Sequence, residues 1–448
     1  MSIRGVLICL RWVLAAFILL CLFAFGVQRA SGNPDNPFSK VILGMAHIPQ
    51  FALDTWNNLK RDPYEDSRIP DEFGNKNRYA PVPNHTRHQI EGVVMRRGDS
   101  ASAPEEGWRV LYGIFRIDGE PRYAALVLSP RFAIEHVWVI GQDILDESGE
   151  TVGSAYFPHG FVLLGDGSII AGFDEFYRTV RVSACGKRVW TSDARLNHAI
   201  YAVDNDRFAW GVGADDHIQK IDLRTGRMVQ DITIDDLRRA NPDLTVLEIR
   251  REDDNTLGHN ERGDAGNYFP DAYHINDAEP LSPRLAAKFP QFSAGDLLIS
   301  LRSLNLVAVL DPRTRKIKWL TGSHTLRQHD PDWEPDGTIS VFDNQMGRHF
   351  SRVVDFDPAT NRYRTAVNGQ PLNFYSRIRG KHQSLRGGGT LISSAEQGRL
   401  LELGRDGRIS SEILIQDPKN AGRNFVFSEG IFFPPDDPAF EKVKACSK

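Results

Sequence analysis

Cysteine is nearly absent from this chain, with four in 448 residues, and two of them, Cys9 and Cys21, lie inside one apolar N-terminal stretch. The other two, Cys185 and Cys446, are isolated and give no metal-site spacing. In an oxidising compartment they could form one disulfide tying the C-terminus to the body. Basic runs are also missing: 54 Lys and Arg stand against 58 Asp and Glu, for a net charge of -4. No global positive field exists to hold nucleic acid or coat an anionic membrane. Long parallel-sheet crossovers are missing, which argues against an α/β fold. What remains, 41% hydrophobic and 25% charged, is the composition of a globular protein with a sizeable core.

The one long apolar run is residues 12–27, WVLAAFILLCLFAFGV, which carries no charge. With residues 5–10 added it reaches the roughly 20 residues that span a bilayer. Arg4 and Arg11 at its start favour a cytoplasmic N-terminus. A cleaved signal peptide and an uncleaved signal anchor both fit. The exit, residues 27–32 (VQRASG), lacks a clean small-x-small site and favours the anchor. Either way the remainder is exported, so the expected location is inner-membrane-anchored with the body facing the periplasm or extracytoplasmic side. The expected division is residues 1–30 as transmembrane anchor, 31–104 as polar linker with helical periodicity over 42–59, and 105–440 as the body.

From residue 108 onward short β-type runs alternate with turn signals. Lining them up exposes a repeat. FPHGFVLLGDGSIIAGFD carries His159, LNHAIYAVDNDRFAWGVG carries His198, RQHDPDWEPDGTISVFDN carries His329, and GKHQSLRGGGTLISSAEQ carries His382. AYHINDAEP, with His274, has an insertion before its second strand. Each unit is a His, a short strand, a hairpin turn and a second strand. Two further strands follow in most units, as in TVRVSACGKRVWTS and LVAVLDPRTRKIKWL. Four antiparallel strands every ~40–50 residues mean propeller blades. Five are clear, and residues 107–140 make a sixth, closed by FVFSEGIFF near the C-terminus. The expected fold is all-β: a six-bladed β-propeller with an N-terminal transmembrane helix.

A His at the start of five inner strands would aim several imidazoles at one channel mouth. A repeated structural His would produce the same register. His274 and Asn276, two apart, share a strand face. Arg302 follows on the next strand of that blade, and its planar fork suits an oxyanion such as sulfate or phosphate. His217, His324 and His349 read as surface or packing residues, and Arg386 with the three glycines after it as a hairpin turn, since no helix follows to cradle a phosphate.

These residues resemble the bacterial arylsulfotransferases. The resemblance rests on RQHDPDWEPDGTISVFDNQMGRHFSRVVDFD, where Gln-His opens a strand and Asp-Asn closes the next. It rests also on AYHIND, on ISLRS with Leu301 where Ser is usual, and on LNHAIYAVDND, with Asn197-His-Ala where His-His-Asp is usual. Membership implies a six-bladed propeller that moves a sulfuryl group from a phenolic sulfate ester to another hydroxyl through a covalent sulfohistidine, with no nucleotide donor, other cofactor or metal. It implies His329 as nucleophile beside Asp343 and Asn344. Arg302, His274 and Asn276 would hold the sulfuryl oxygens, and His198 would move protons. The partners expected are a small phenolic sulfate donor and a hydroxyl acceptor. Three other readings compete: a non-catalytic binding propeller, a metal- or quinone-dependent propeller enzyme using Asp277 or Asp330, and hydrolysis with water as acceptor.

Overall fold

The computed structural model describes residues 67–74, 78–141, 157–173, 179–248 and 272–446, together with residues 64 and 144 and scattered positions between 19 and 37. The chain divides into two units, 1–65 and 66–448. Most of the expected anchor, and the periodic stretch 42–59, lie outside the described residues. Leu19, Leu22, Phe23 and Phe25, which are described, are helical and exposed. Among the described residues no helix is long and apolar enough to cross a membrane.

The second unit is a six-bladed propeller. Blade 2 runs through Pro158–Leu163, Ile169–Phe173, Thr179–Val182 and Arg188–Ser192, from channel to rim. Blade 3 is Ile200–Val203, Phe208–Val212, Ile218–Asp222 and Met228–Ile232. Blade 4 is Ile275–Pro280, Leu297–Leu301, Leu306–Leu310 and Ile317–Gly322. Blade 5 is His329–Trp333, Ile339–Asp343, Arg352–Asp357 and Arg362–Asn368. Blade 6 is Lys381–Ser384, Thr390–Ser394, Arg399–Leu403 and Ile409–Ile415. All pairings within these blades are antiparallel. The hairpins turn where the sequence signals them. Gly167 and Gly337 have φ of +77° and +91°, a region that an L side chain rarely adopts.

Blade 1 closes the ring. Its outer strands, Trp108–Ile117, Glu120–Leu128 and Ile134–Val139, come from early in the chain, and its inner strand, Phe427–Phe433, comes from near the end. The stretch read as a linker contributes too. Val93–Arg97 pairs with Ile409–Ile415 on the rim of blade 6, and Ala80–Pro81 pairs with Val93–Arg97 in turn. Buried ion pairs fasten this seam. Asp417 accepts from Arg68 Nε at 2.6 Å and Arg116 Nη2 at 2.6 Å. Glu402 accepts from Arg109 Nε and Nη2 at 3.1 and 2.6 Å. A disulfide joins Cys185 in blade 2 to Cys446 at the end of the helix Ala439–Cys446.

The core lies between blades rather than in one central mass. Trp210, Ile218 and Ile232 of blade 3 pack on Leu297, Ile299 and Ala308 of blade 4. Leu298 and Val309 on the other face of blade 4 pack on Trp333, Val341 and Phe356 of blade 5. Strand alternation thus sends successive side chains to opposite neighbours, so the middle strands are apolar on both faces.

Candidate active site

His329 opens the inner strand of blade 5. Asp330 beside it adopts φ +51°, and the pairing slips between His329 and Pro331. This bulge sets the direction of the imidazole. The ring is buried, and Nδ1 lies 2.7 Å from Asn344 Oδ1. Asn344 Nδ2 donates to the carbonyls of Ser376 at 2.8 Å and Arg379 at 2.5 Å. Its oxygen therefore faces the ring as acceptor, and Nδ1 must carry the hydrogen. The Arg379 amide N–H donates to Nε2 at 3.2 Å. Both partners thus fix one neutral tautomer with the lone pair on Nε2. Burial pushes this imidazole well below its ordinary pKa, and the positive charge of Arg302 pushes it further down.

Three more histidines gather at the same end of the channel. The rings of His159 and His198 have centroids 4.3 Å apart, and those of His198 and His274 are 5.3 Å apart. His198 Nδ1 is 2.7 Å from Asn197 Oδ1, and its Nε2 is buried with no hydrogen-bond partner. Burial drives its pKa well down, followed by the charges of His159 and His274. His274 sits at φ +46° just ahead of the inner strand of blade 4. Its carbonyl accepts from the Arg302 amide at 3.0 Å, which brings that turn against it. Arg302 opens the short turn Arg302–Leu304 after the second strand of the blade. Asn276 donates from Nδ2 to the Gln328 carbonyl at 2.9 Å, tying blade 4 to the residue before His329, and its Oδ1 is without a hydrogen-bond partner.

His382 is the exception to the expected register. Its ring is buried, with Nδ1 3.2 Å from Asp330 Oδ2 and Nε2 2.8 Å from Ser340 Oγ of blade 5. Lys381, one residue earlier, reaches Asp330 Oδ1 at 3.5 Å and Glu429 Oε2 at 3.2 Å on the flanking inner strands. Burial would lower this lysine, but Glu429 and Asp330 outweigh it and raise its pKa. The result is an acidic layer around Lys381. Burial pushes up the carboxyls of Asp277, Glu279, Asp332 and Glu429. Asp330 goes the other way, because Lys381 and His382 offset its burial. Tyr201 Oη donates to Asp277 Oδ2 at 3.1 Å. Asp330, Asp332 and His382 bring one ligand atom each within 4.8 Å of one another. Lys381 already offsets the charge of Asp330 there.

Residues 163–415 match the family described as arylsulfotransferase (ASST), which is more than half of the chain. The chain belongs to the arylsulfotransferase family. No curated protein matches it. Similar solved structures include a protein of unknown function from Bacteroides caccae, at 11% identity, covering 73% of this chain and 99% of that one with a TM-score of 0.45. A nidogen/laminin complex gives 10%, 73%, 99% and 0.44. Virginiamycin B lyase from Staphylococcus aureus gives 11%, 66%, 86% and 0.36. At these scores the blade count rests on this chain's own strand pairing.

Within this arylsulfotransferase family member, the motifs assign no role to four residues at the candidate site. Asn197, which stands where the motif departs from its usual form, supports His198. Arg379 lies outside every motif, and its guanidinium lies at 3.7 Å over the ring of Phe157, the first residue of the blade 2 repeat unit. Lys381 was hidden by alignment on the adjacent histidine. A legible signal was the charge pattern: Lys381 is a lone cation opposite the acidic inner strands INDAEP and HDPDW.

Proposed function

We propose that this family member transfers a sulfuryl group from an aryl sulfate ester to a hydroxyl acceptor through a covalent intermediate on His329. The observation that carries the reading is the doubly held neutral imidazole, with Nδ1–H on Asn344 and the lone pair at Nε2. A neutral imidazole attacks without first losing a proton, and its depressed pKa keeps it neutral at pH 7.

In the first half-reaction the Nε2 lone pair attacks sulfur. The bond from sulfur to the aryl oxygen breaks, and its electron pair leaves with the aryl oxide. The ring gains positive charge, which the Nδ1–H bond to Asn344 spreads. Arg302 is the fixed cation beside the sulfuryl oxygens, a preorganised charge of the kind that stabilises such transition states by about 3–4 kcal/mol per donor. In the second half-reaction the acceptor oxygen attacks sulfur and gives its proton to His198 Nε2, which has no other partner. The N–S bond breaks and returns its pair to His329. His198 then passes the proton to the next aryl oxide or to water. Two half-reactions sharing one covalent intermediate give ping-pong kinetics.

The same reading tethers the propeller to the membrane by residues 12–27 on the extracytoplasmic side, which the Cys185–Cys446 disulfide supports. The test uses full-length protein in detergent with 4-nitrophenyl sulfate as donor and phenol as acceptor. Chromophore release that needs both phenol and His329, with a sulfo group recovered on the His329 peptide, is the expected result. Release without acceptor would mean hydrolysis, and no turnover by folded protein would remove the transferase reading.

A further inference from the structure

His329 has one lone pair, and in this structure the Arg379 amide occupies it. An sp² nitrogen cannot accept that N–H and attack sulfur with the same pair. The amide must therefore move before any chemistry on Nε2. The peptide that carries it is held at its other end by Ser376 Oγ, which donates to the Ile378 carbonyl at 2.7 Å. Arg379 itself sits at φ +59° and Gly380 at φ +97°. A Cβ at Gly380 would come within 2.4 Å of the Phe342 ring, so the chain follows one narrow path here.

The side chain of the same residue makes the second contact. Its guanidinium covers the ring of Phe157, just ahead of the inner strand of blade 2. Blade 1 lies between blade 6 and blade 2, so Arg379 spans from one side of the His-bearing end to another. Phe157 is two residues from His159, whose ring abuts His198. An aromatic face next to a His and Arg cluster is a seat for an aryl group carrying an anionic head. A cation over that face holds the seat in the absence of such a ligand.

We propose that the aryl ring of the donor replaces the Arg379 guanidinium on Phe157, and that this exchange draws the Arg379 amide off Nε2 of His329. The proposal rests on the sulfuryl-transfer reading and names Phe157 as its aryl-specificity residue and Arg379 as a latch. Aryl binding then exposes the nucleophile, whereas an alkyl sulfate leaves it covered.

Carbethoxylation of His329 by diethyl pyrocarbonate in the full-length protein, followed by peptide mass mapping, tests the latch without requiring transfer. Arg379→Asn keeps a residue that tolerates positive φ but removes the guanidinium, and Phe157→Leu removes the aromatic face. Both should raise the His329 labelling rate roughly fivefold or more, as loss of a cation–π contact implies, with His217 labelling unchanged. Phenol should raise His329 labelling in the unsubstituted protein and not in Phe157→Leu. Unchanged labelling in both variants, or protection of His329 by phenol, overturns the latch. In turnover, Phe157→Leu should lower kcat/KM for 4-nitrophenyl sulfate more than for hexyl sulfate, and an equal loss overturns the aryl seat. If the unsubstituted protein turns over neither ester, the transfer reading fails, and the labelling still decides the latch.

Discussion

Blades 5 and 6 look alike in sequence and differ in what they present. Each opens with a polar residue and a histidine, then a short strand, a turn and a second strand. In blade 5, Asp330 takes positive φ and the register slips, so His329 sits at the channel end with its lone pair on Nε2. In blade 6 the pairing from Lys381 to Ser384 runs without a slip. Lys381 then faces the flanking acidic strands, and His382 is buried against Asp330 and Ser340. A one-residue difference in register exchanges the two faces of a strand. The same residue type thus becomes a nucleophile candidate in one blade and a structural bridge in the next.

The sharpest way to break this comparison is to delete each histidine. His329→Ala should lower transfer by about a thousandfold or more, whereas His382→Ala should leave kcat within a few-fold. Equal losses in an acceptor-dependent chromophore assay would end the distinction. Next in size, Lys381→Met leaves Asp330 and Glu429 without their buried cation. It should cost about 3–5 kcal/mol of stability, measured by denaturant unfolding. Asn344→Ala removes the group that fixes the His329 tautomer and should cost about a hundredfold in kcat, with about 1–3 kcal/mol of stability lost as the Ser376 and Arg379 carbonyls lose their donor. His382→Ala itself removes two buried side-chain contacts, to Asp330 and Ser340, and should cost about 1–3 kcal/mol.

The smallest effect is in the pH profile. Burial and then Arg302 depress His329, so its neutral form persists below the ordinary value of 6.5. Transfer should stay on its plateau through pH 6.5 and fall only further into acid, as protonation removes the lone pair. Asn344→Asp places a carboxylate on Nδ1, favours the cation, and should move that fall upward by about 1–2 units. An unshifted profile would mean that another group sets it.

The fold was largely legible because propeller blades repeat their turn chemistry. The Asp-Gly turns at Gly167 and Gly337, and the long apolar strands of blades 4 and 5, state the hairpins locally. The role of Val93–Arg97 was not legible, since pairing to strand Ile409–Ile415 depends on residues more than 300 positions away. At the site, the histidines of blades 2 to 5 could be found by repetition. The register of His382 could not, because it follows from backbone dihedrals that the motif does not display. Arg379 and Phe157 meet only through the closed ring, and nothing local to either marks the other as its partner.

Blade 1 receives its innermost strand, Phe427–Phe433, from residues synthesised long after its other three strands. During synthesis, therefore, residues 108–113 wait with an open hydrogen-bonding edge until Phe427–Phe433 arrives. An unpaired edge of that length invites pairing with another nascent copy. Completion of the ring is thereby tied to synthesis and delivery of residues 427–433, so a chain stalled before residue 427 would expose that edge while the histidines of blades 2 to 5 were already made.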